Sequence, residues 1–166
     1  MPNNCDFEMK IRGSKQAIKR VVDCLQADYH YNEGKPSHKH FFRVFDTYED
    51  KLINNGDGTF TQWLHGYCAW SVYSCMCNGT HTYYNDVKKD YPDIFMGTTL
   101  EEQSQDCEIE VFSEETGMGF SEHYLYKNGY CEVDDCAQIE VECDDEEYTI
   151  LNPHRYDQVE DYMWTL

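Results

Sequence analysis

The chain has 166 residues, 40% of them hydrophobic and 15% aromatic, enough apolar material for one packed core, and this excludes a disordered chain. Its formal charge of -19 makes nucleic acid and anionic membrane surfaces unfavourable direct partners and a basic protein the favoured one. No run approaches the roughly 18 apolar residues of a membrane-spanning helix, and the opening Met1-Pro2-Asn3-Asn4-Cys5-Asp6 has neither a basic region nor an apolar stretch, so a cytoplasmic location is expected.

In chain order, Cys5, Phe7, Met9 and Ile11 alternate with Asp6, Glu8, Lys10 and Arg12, the pattern of a half-buried antiparallel strand. Gly13 ends it, Ser14 can cap a helix, and Ala17, Ile18, Val21, Val22 and Leu25 form one apolar stripe at helical spacing. Residues 28–40 read as a loop. Phe41, Phe42, Val44 and Phe45 predict a second strand, joined through the turn cluster Asn54-Asn55-Gly56-Asp57-Gly58 to a third over Thr59 to Gly66. The cluster resembles a calcium loop, but Gly66 stands where the closing Glu belongs, so a turn is the stronger reading.

Ala69, Val72, Tyr73 and Met76 fall at i, i+3, i+4 and i+7 and predict a second buried helix, stopped at Asn78-Gly79. A short helix is expected over Asn85 to Tyr91, and Thr98 or Thr99 followed by Glu101 or Glu102 makes a capping box. Strand patterns return at Cys107-Ile109-Val111, Phe120 to Lys127, Cys131-Val133 and Ile139-Val141-Cys143, with Asn128-Gly129 as a hairpin turn. A last helix is expected from Asp157, with Val159, Tyr162, Met163 and Leu166 on one face. The order strand, helix, strand, strand, helix, strand predicts an α+β, ferredoxin-like βαββαβ domain, with two helices on one face of an antiparallel sheet. That domain with its hairpin extension would occupy residues 1–143, leaving 144–166 as an acidic segment.

The nine cysteines are odd in number and follow no signal peptide, so reduced thiols are expected. Cys75-x-Cys77, Cys131-x4-Cys136 and His38-x-His40 lack the two-residue spacing of zinc ribbons and fingers. No metal or cofactor is implied.

Three segments carry a resemblance: Met1-Pro2-Asn3-x-Cys5 leading into a strand, Gly13 and an amphipathic helix; Cys68 to Cys75; and Glu110 to Tyr124 with its Gly117-Met118-Gly119 turn. Together they resemble the small YubB-type ferredoxin-like proteins of phages, plasmids and integrated mobile elements. The resemblance implies a fold and a mobile-element origin in a bacterial host, and no reaction.

No Gly-x-Ser-x-Gly elbow, His-Glu-x-x-His helix, phosphate loop or dinucleotide fingerprint occurs. Glu122 and His123 are neighbours on a strand and point to opposite faces, so they do not make an acid-base pair. The basic cluster Lys10, Arg12, Lys15, Lys19 and Arg20 is small as a nucleic-acid footprint; solvated surface is the plainer reading.

Charge segregation is the most informative feature. Residues 1–60 hold nine acids and nine bases, whereas 101–166 hold twenty acids against only Lys127 and Arg155. Glu108 and Glu110, Glu132 and Asp134, and Glu140 and Glu142 occupy the polar parity of their strands, followed by Asp135 and by Asp144, Asp145, Glu146 and Glu147. If those strands pair, like charges about 5 Å apart destabilise the sheet, which stability alone does not select. Same-face carboxylates on a strand lie about 6.7 Å apart, close to two phosphate steps of about 3.4 Å each. These eleven residues are therefore the expected contact surface for a basic, nucleic-acid-handling host protein, most concretely a CRISPR effector inhibited by an anti-CRISPR-type protein. A solubilising face, a small enzyme using Cys or His in a pocket opposite the helices, and a metal- or ligand-binding module remain the alternatives.

Overall fold

In the computed structural model, residues 3–26, 39–77, 89, 97–144, 147–150 and 164–166 are described. Strand β1 (Asn4–Gly13) leads into helix α1 (Lys15–Gln26), followed by β2 (Val44–Asn54), β3 (Phe60–Ala69), a π-helical turn (Tyr73–Cys77), a short helix α2 (Leu100–Gln103), then β4 (Cys107–Glu115), β5 (Phe120–Lys127), β6 (Tyr130–Gln138), β7 (Val141–Asp144) and β8 (Glu147–Ile150). Six strands form one antiparallel sheet in the order β2-β3-β1-β4-β5-β6, and β7 pairs with β8.

Alternation places Cys5, Phe7, Met9 and Ile11 of β1 inward, where they meet Ile18, Val21, Val22 and Leu25 of α1 and Ile109 and Val111 of β4 in one buried cluster. Each such aliphatic side chain contributes about 1.5–3 kcal/mol when fully buried. Ser14 caps α1 by accepting from the Ala17 N–H at 3.1 Å. Thr99 caps α2 by accepting from the Glu102 N–H at 3.2 Å, which is the N-cap half of the expected capping box, while the Glu102 carboxylate accepts from the Thr98 hydroxyl at 2.8 Å. At the β5–β6 hairpin Asn128 and Gly129 adopt φ of 50° and 77°, the left-handed pair that a tight right-twisted hairpin requires.

The expectation of a ferredoxin-like domain with two helices on one face is not met. The architecture is sheet-rich, with six antiparallel strands in one sheet, and among the described residues α1 is the one helix longer than a turn or two. The predicted second helix over Ala69 to Met76 is instead the end of β3 followed by the five-residue π-helical turn. Trp70, at φ 67°, breaks the backbone between them. Val72, Cys75 and Met76 are nevertheless buried in the core, so the apolar spacing marked an inward face without marking a regular helix. The expected helix over Asn85 to Tyr91 lies almost wholly outside the described residues, as does the one from Asp157; Trp164–Leu166 is not helical.

Strand β2 approaches β3 closely at Gly66, where a Cβ would stand 2.5 Å from the Asp46 carbonyl oxygen and 2.8 Å from the Phe7 ring. Glycine at this position lets β2 run against β3 through two register shifts, Val44/Thr47 and Glu49/Leu52.

Candidate functional site

The polar face of the sheet is built by register. Trp63 of β3, Lys10 of β1, Glu110 of β4 and Leu125 of β5 lie opposite one another in one cross-strand row. His65, Glu8, Phe112, His123 and Asp135 form the next. Instead of facing water, the middle of this face is buried: Glu110 and Phe112 are 0% exposed and His123 is 3% exposed.

Glu110 is the hub. Its Oε1 lies 2.8 Å from His123 Nε2, and because an ionised carboxylate only accepts, the ring N–H is the donor. The Thr165 N–H reaches Oε2 at 3.0 Å, the Thr165 hydroxyl reaches Oε1 at 2.9 Å, and the Leu166 N–H reaches Oε2 at 2.9 Å. Burial by itself raises the Glu110 carboxyl, but the hydrogen bonds from His123, Leu166 and Thr165 outweigh it and hold the group below its ordinary 4.5. The His123 ring stacks on Phe112 at 4.0 Å, and Trp164 meets Phe112 edge-on at 4.7 Å and Trp63 at 5.0 Å. Lys10 Nζ sits 4.7 Å from the Trp63 ring centre and 5.9 Å from that of Trp164, a cation–π arrangement. Burial lowers the Lys10 ammonium despite the charge of Glu110.

Glu122 points to the opposite, α1-bearing face, as expected of its neighbour relation to His123. It is 3% exposed and accepts from the N–H groups of Val72 at 2.8 Å and Tyr73 at 3.2 Å, from Ser113 Oγ at 2.6 Å and from Tyr124 Oη at 3.0 Å. It therefore anchors the π-helical turn. Glu115, 1% exposed, likewise accepts from the N–H groups of Gly117 and Met118. Three acids of the negative half are thus internal acceptors.

The expected acidic array is divided. Glu110 is a correction, because its carboxylate is fully buried under Thr165 and Leu166 and is no part of an exposed acidic surface. Glu108 is half-buried and 4.0 Å from Lys127, which also reaches Glu132 at 3.3 Å. Strand β5 separates Glu108 from β6, so these acids do not crowd as paired neighbours. Asp134 pairs with Tyr124 and Asp135 with His123, which puts the two acids on opposite faces. Glu132, Asp134, Glu140 and Glu142 are exposed. Asp144 and Glu147 are register partners in the β7–β8 pair, and Asp145 and Glu146 lie outside the described residues.

The basic cluster disperses. Arg12 pairs with Asp57 at 3.1 Å and Lys19 with Asp23 at 2.7 Å. Arg20 holds Asp106 and, at 2.8 Å, the Gln103 carbonyl oxygen. Lys15 covers Phe60 and Lys10 belongs to the opposite face. Among the described residues these five cations form no phosphate-sized gathering.

Cysteine is poorly placed for nucleophilic work. Cys5, Cys68 and Cys75 are buried at 0–2% exposure. Burial pushes the Cys24 thiol up to about 11 and the Cys107 thiol up to about 12, so each stays protonated near neutrality. Cys131 and Cys136 are exposed. In native protein near pH 7, maleimide is expected to modify these two ahead of the buried thiols. Cys24 and Cys107 should react at least about a hundredfold more slowly until denaturant is added, as followed by peptide mass mapping. Labelling of Cys24 as fast as Cys136 would restore it as a nucleophile. Among the described residues no three His, Cys, Asp or Glu side chains converge as a metal site requires, and no helix is long and apolar enough to cross a membrane.

The chain matches no family model, no curated protein and no solved structure. Sequence parity had put Glu110 and His123 on strands without joining them. The signal that links them is the register Phe112↔His123, which only the pairing of β4 with β5 supplies.

Proposed function

We propose that the chain is a non-enzymatic binding protein that presents carboxylates of β6, of β7 and of the Glu140 between them to a basic surface on a partner. The observation that carries this reading is the exposure of Glu132, Asp134, Glu140 and Glu142 in a stretch, 108–147, whose only base is Lys127. Basic surfaces of this kind normally hold nucleic acid, and carboxylates at strand spacing of about 6.7 Å match alternate phosphates. The concrete form is an anti-CRISPR-type inhibitor occupying the nucleic-acid channel of a CRISPR effector in a bacterial cytoplasm, and the resemblance of three segments to YubB-type mobile-element proteins favours such a setting. Buried, protonated thiols and a Glu110–His123 pair already covered by Trp164–Leu166 weigh against the enzyme alternative.

The test is affinity capture from a bacterial lysate supplemented with CRISPR effectors, followed by titration against the captured protein. Binding should weaken steeply with salt and be competed by guide RNA or DNA. Glu140→Lys with Glu142→Lys should lower affinity at least about tenfold while leaving the urea midpoint equal or higher, since repulsion within the free protein falls. Equal binding by this variant removes the acidic edge as the site.

A further inference from the structure

We propose that the Glu110 groove is a peptide-recognition site, held closed by the chain's own Trp164–Leu166 and able to receive an incoming extended segment of the same chemistry: an aromatic residue, then a residue with a hydroxyl, with two successive main-chain N–H groups. The resident segment displays the recognition rule. A fully buried carboxylate on β4 takes both N–H groups and the Thr165 hydroxyl. An aromatic slot of Trp63 and Phe112 takes the indole edge-on, and Lys10 lies across it.

Two further features fit a ligand site better than a core. A buried carboxylate is strongly disfavoured unless its lone pairs are filled, yet three of the four groups that donate to Glu110, the Thr165 N–H and hydroxyl and the Leu166 N–H, come from the Trp164–Leu166 segment, and His123 alone comes from the sheet. In addition, the Trp63 indole N–H is buried with no acceptor among the described residues, a donor that an incoming peptide carbonyl can satisfy. This site is distinct from the acidic edge on β6 to β8, so the two readings stand or fall separately.

The full-length variant carrying Trp164→Ala and Thr165→Pro vacates the groove by removing the indole, one N–H and the hydroxyl. It is titrated with the blocked peptide Asp-Tyr-Met-Trp-Thr-Leu, and binding is read from Trp63 fluorescence and from the His123 ring resonances. The peptide should bind the vacated variant at least about tenfold tighter than the parent, and adding Glu110→Gln should weaken it about tenfold; a peptide with Ala in place of Trp should not bind. Failure of a folded vacated variant to bind, or indifference to Glu110→Gln, overturns the proposal. So does concentration-dependent dimerisation of the parent without peptide binding by the variant, which assigns the groove to a second copy. Should the vacated variant lose its fold, spin-labelled peptide is added in excess to the parent. Broadening confined to the surroundings of Lys10, Trp63 and His123 supports the proposal, and its absence there overturns it.

Discussion

Replacing Glu122 by alanine should destabilise the protein by about 3–5 kcal/mol, because each buried donor left without an acceptor costs about 1–3 kcal/mol. Four are stranded at once: the N–H groups of Val72 and Tyr73, and the hydroxyls of Ser113 and Tyr124. A total stability of about 5–15 kcal/mol is usual for a domain, so a loss of this size populates unfolded chains visibly. The hydroxyls can rotate toward other partners, but the two main-chain donors at the start of the π-helical turn cannot. Glu122→Gln keeps one oxygen and presents an amide donor where the second stood, so its loss should be intermediate. Urea unfolding of the parent and both variants checks the order. A loss below about 1 kcal/mol for the alanine variant would mean that water replaces the carboxylate.

The second large effect is a pH-dependent one at Glu110. Near neutral pH, Glu110→Gln should cost about 2–4 kcal/mol, since hydrogen bonds to a charged acceptor are worth about 1.5–3 kcal/mol each and the amide recovers part of them. The folded carboxyl titrates below its ordinary 4.5. Above that value the carboxylate is ionised in both states and the full stabilisation is present. As pH falls from 4.5 through the lower folded value, the unfolded chain takes up the proton first and the stabilisation is lost. Urea midpoints measured from about pH 7 to about pH 3 should therefore show the parent's advantage over Glu110→Gln shrinking at the acid end. An advantage that stays constant across the range would place the titration elsewhere.

Local pattern was sufficient wherever one element decided its own structure. The β1 alternation, the α1 stripe, the Thr99 cap and the Asn128-Gly129 hairpin are all formed. The apolar positions of these patterns, Cys5, Phe7, Met9 and Ile11 with Ile18, Val21, Val22 and Leu25, and Val72, Met76, Ile109 and Val111 beyond them, are buried in one cluster. It was insufficient where a distant side chain decides. The Ala69 to Met76 spacing describes a regular helix, whereas β3 runs on to Ala69 and Tyr73–Cys77 winds as a π-helix whose starting N–H groups at Val72 and Tyr73 are held by Glu122 from β5. Parity along β4 correctly opposed Glu110 to Ile109 and Val111, yet parity names a side and not whether that side is wet. Trp164–Leu166, more than fifty residues away in sequence, keeps it dry. The acidic half was legible as composition, whereas its division among internal acceptors, a Lys127-centred group and the exposed edge depends on which strands pair.

Strand β1 lies inside the sheet, bonded to β3 on one side and to β4 on the other, with Asp6 opposite Glu114. On a ribosome adding about 5–20 residues per second, the strand emerges many seconds before its β4 partner has been made. Through that interval α1 and then β3 and the π-helical turn can cover Cys5, Phe7, Met9 and Ile11, but Ile109 and Val111 are missing from the cluster and the β4 side of the strand has no mate. Pairings this remote in sequence also make for slow folding. The growing chain therefore passes through a prolonged stage with an apolar strand half covered, in which a chaperone that grips short extended hydrophobic segments would find β1 before β4 does.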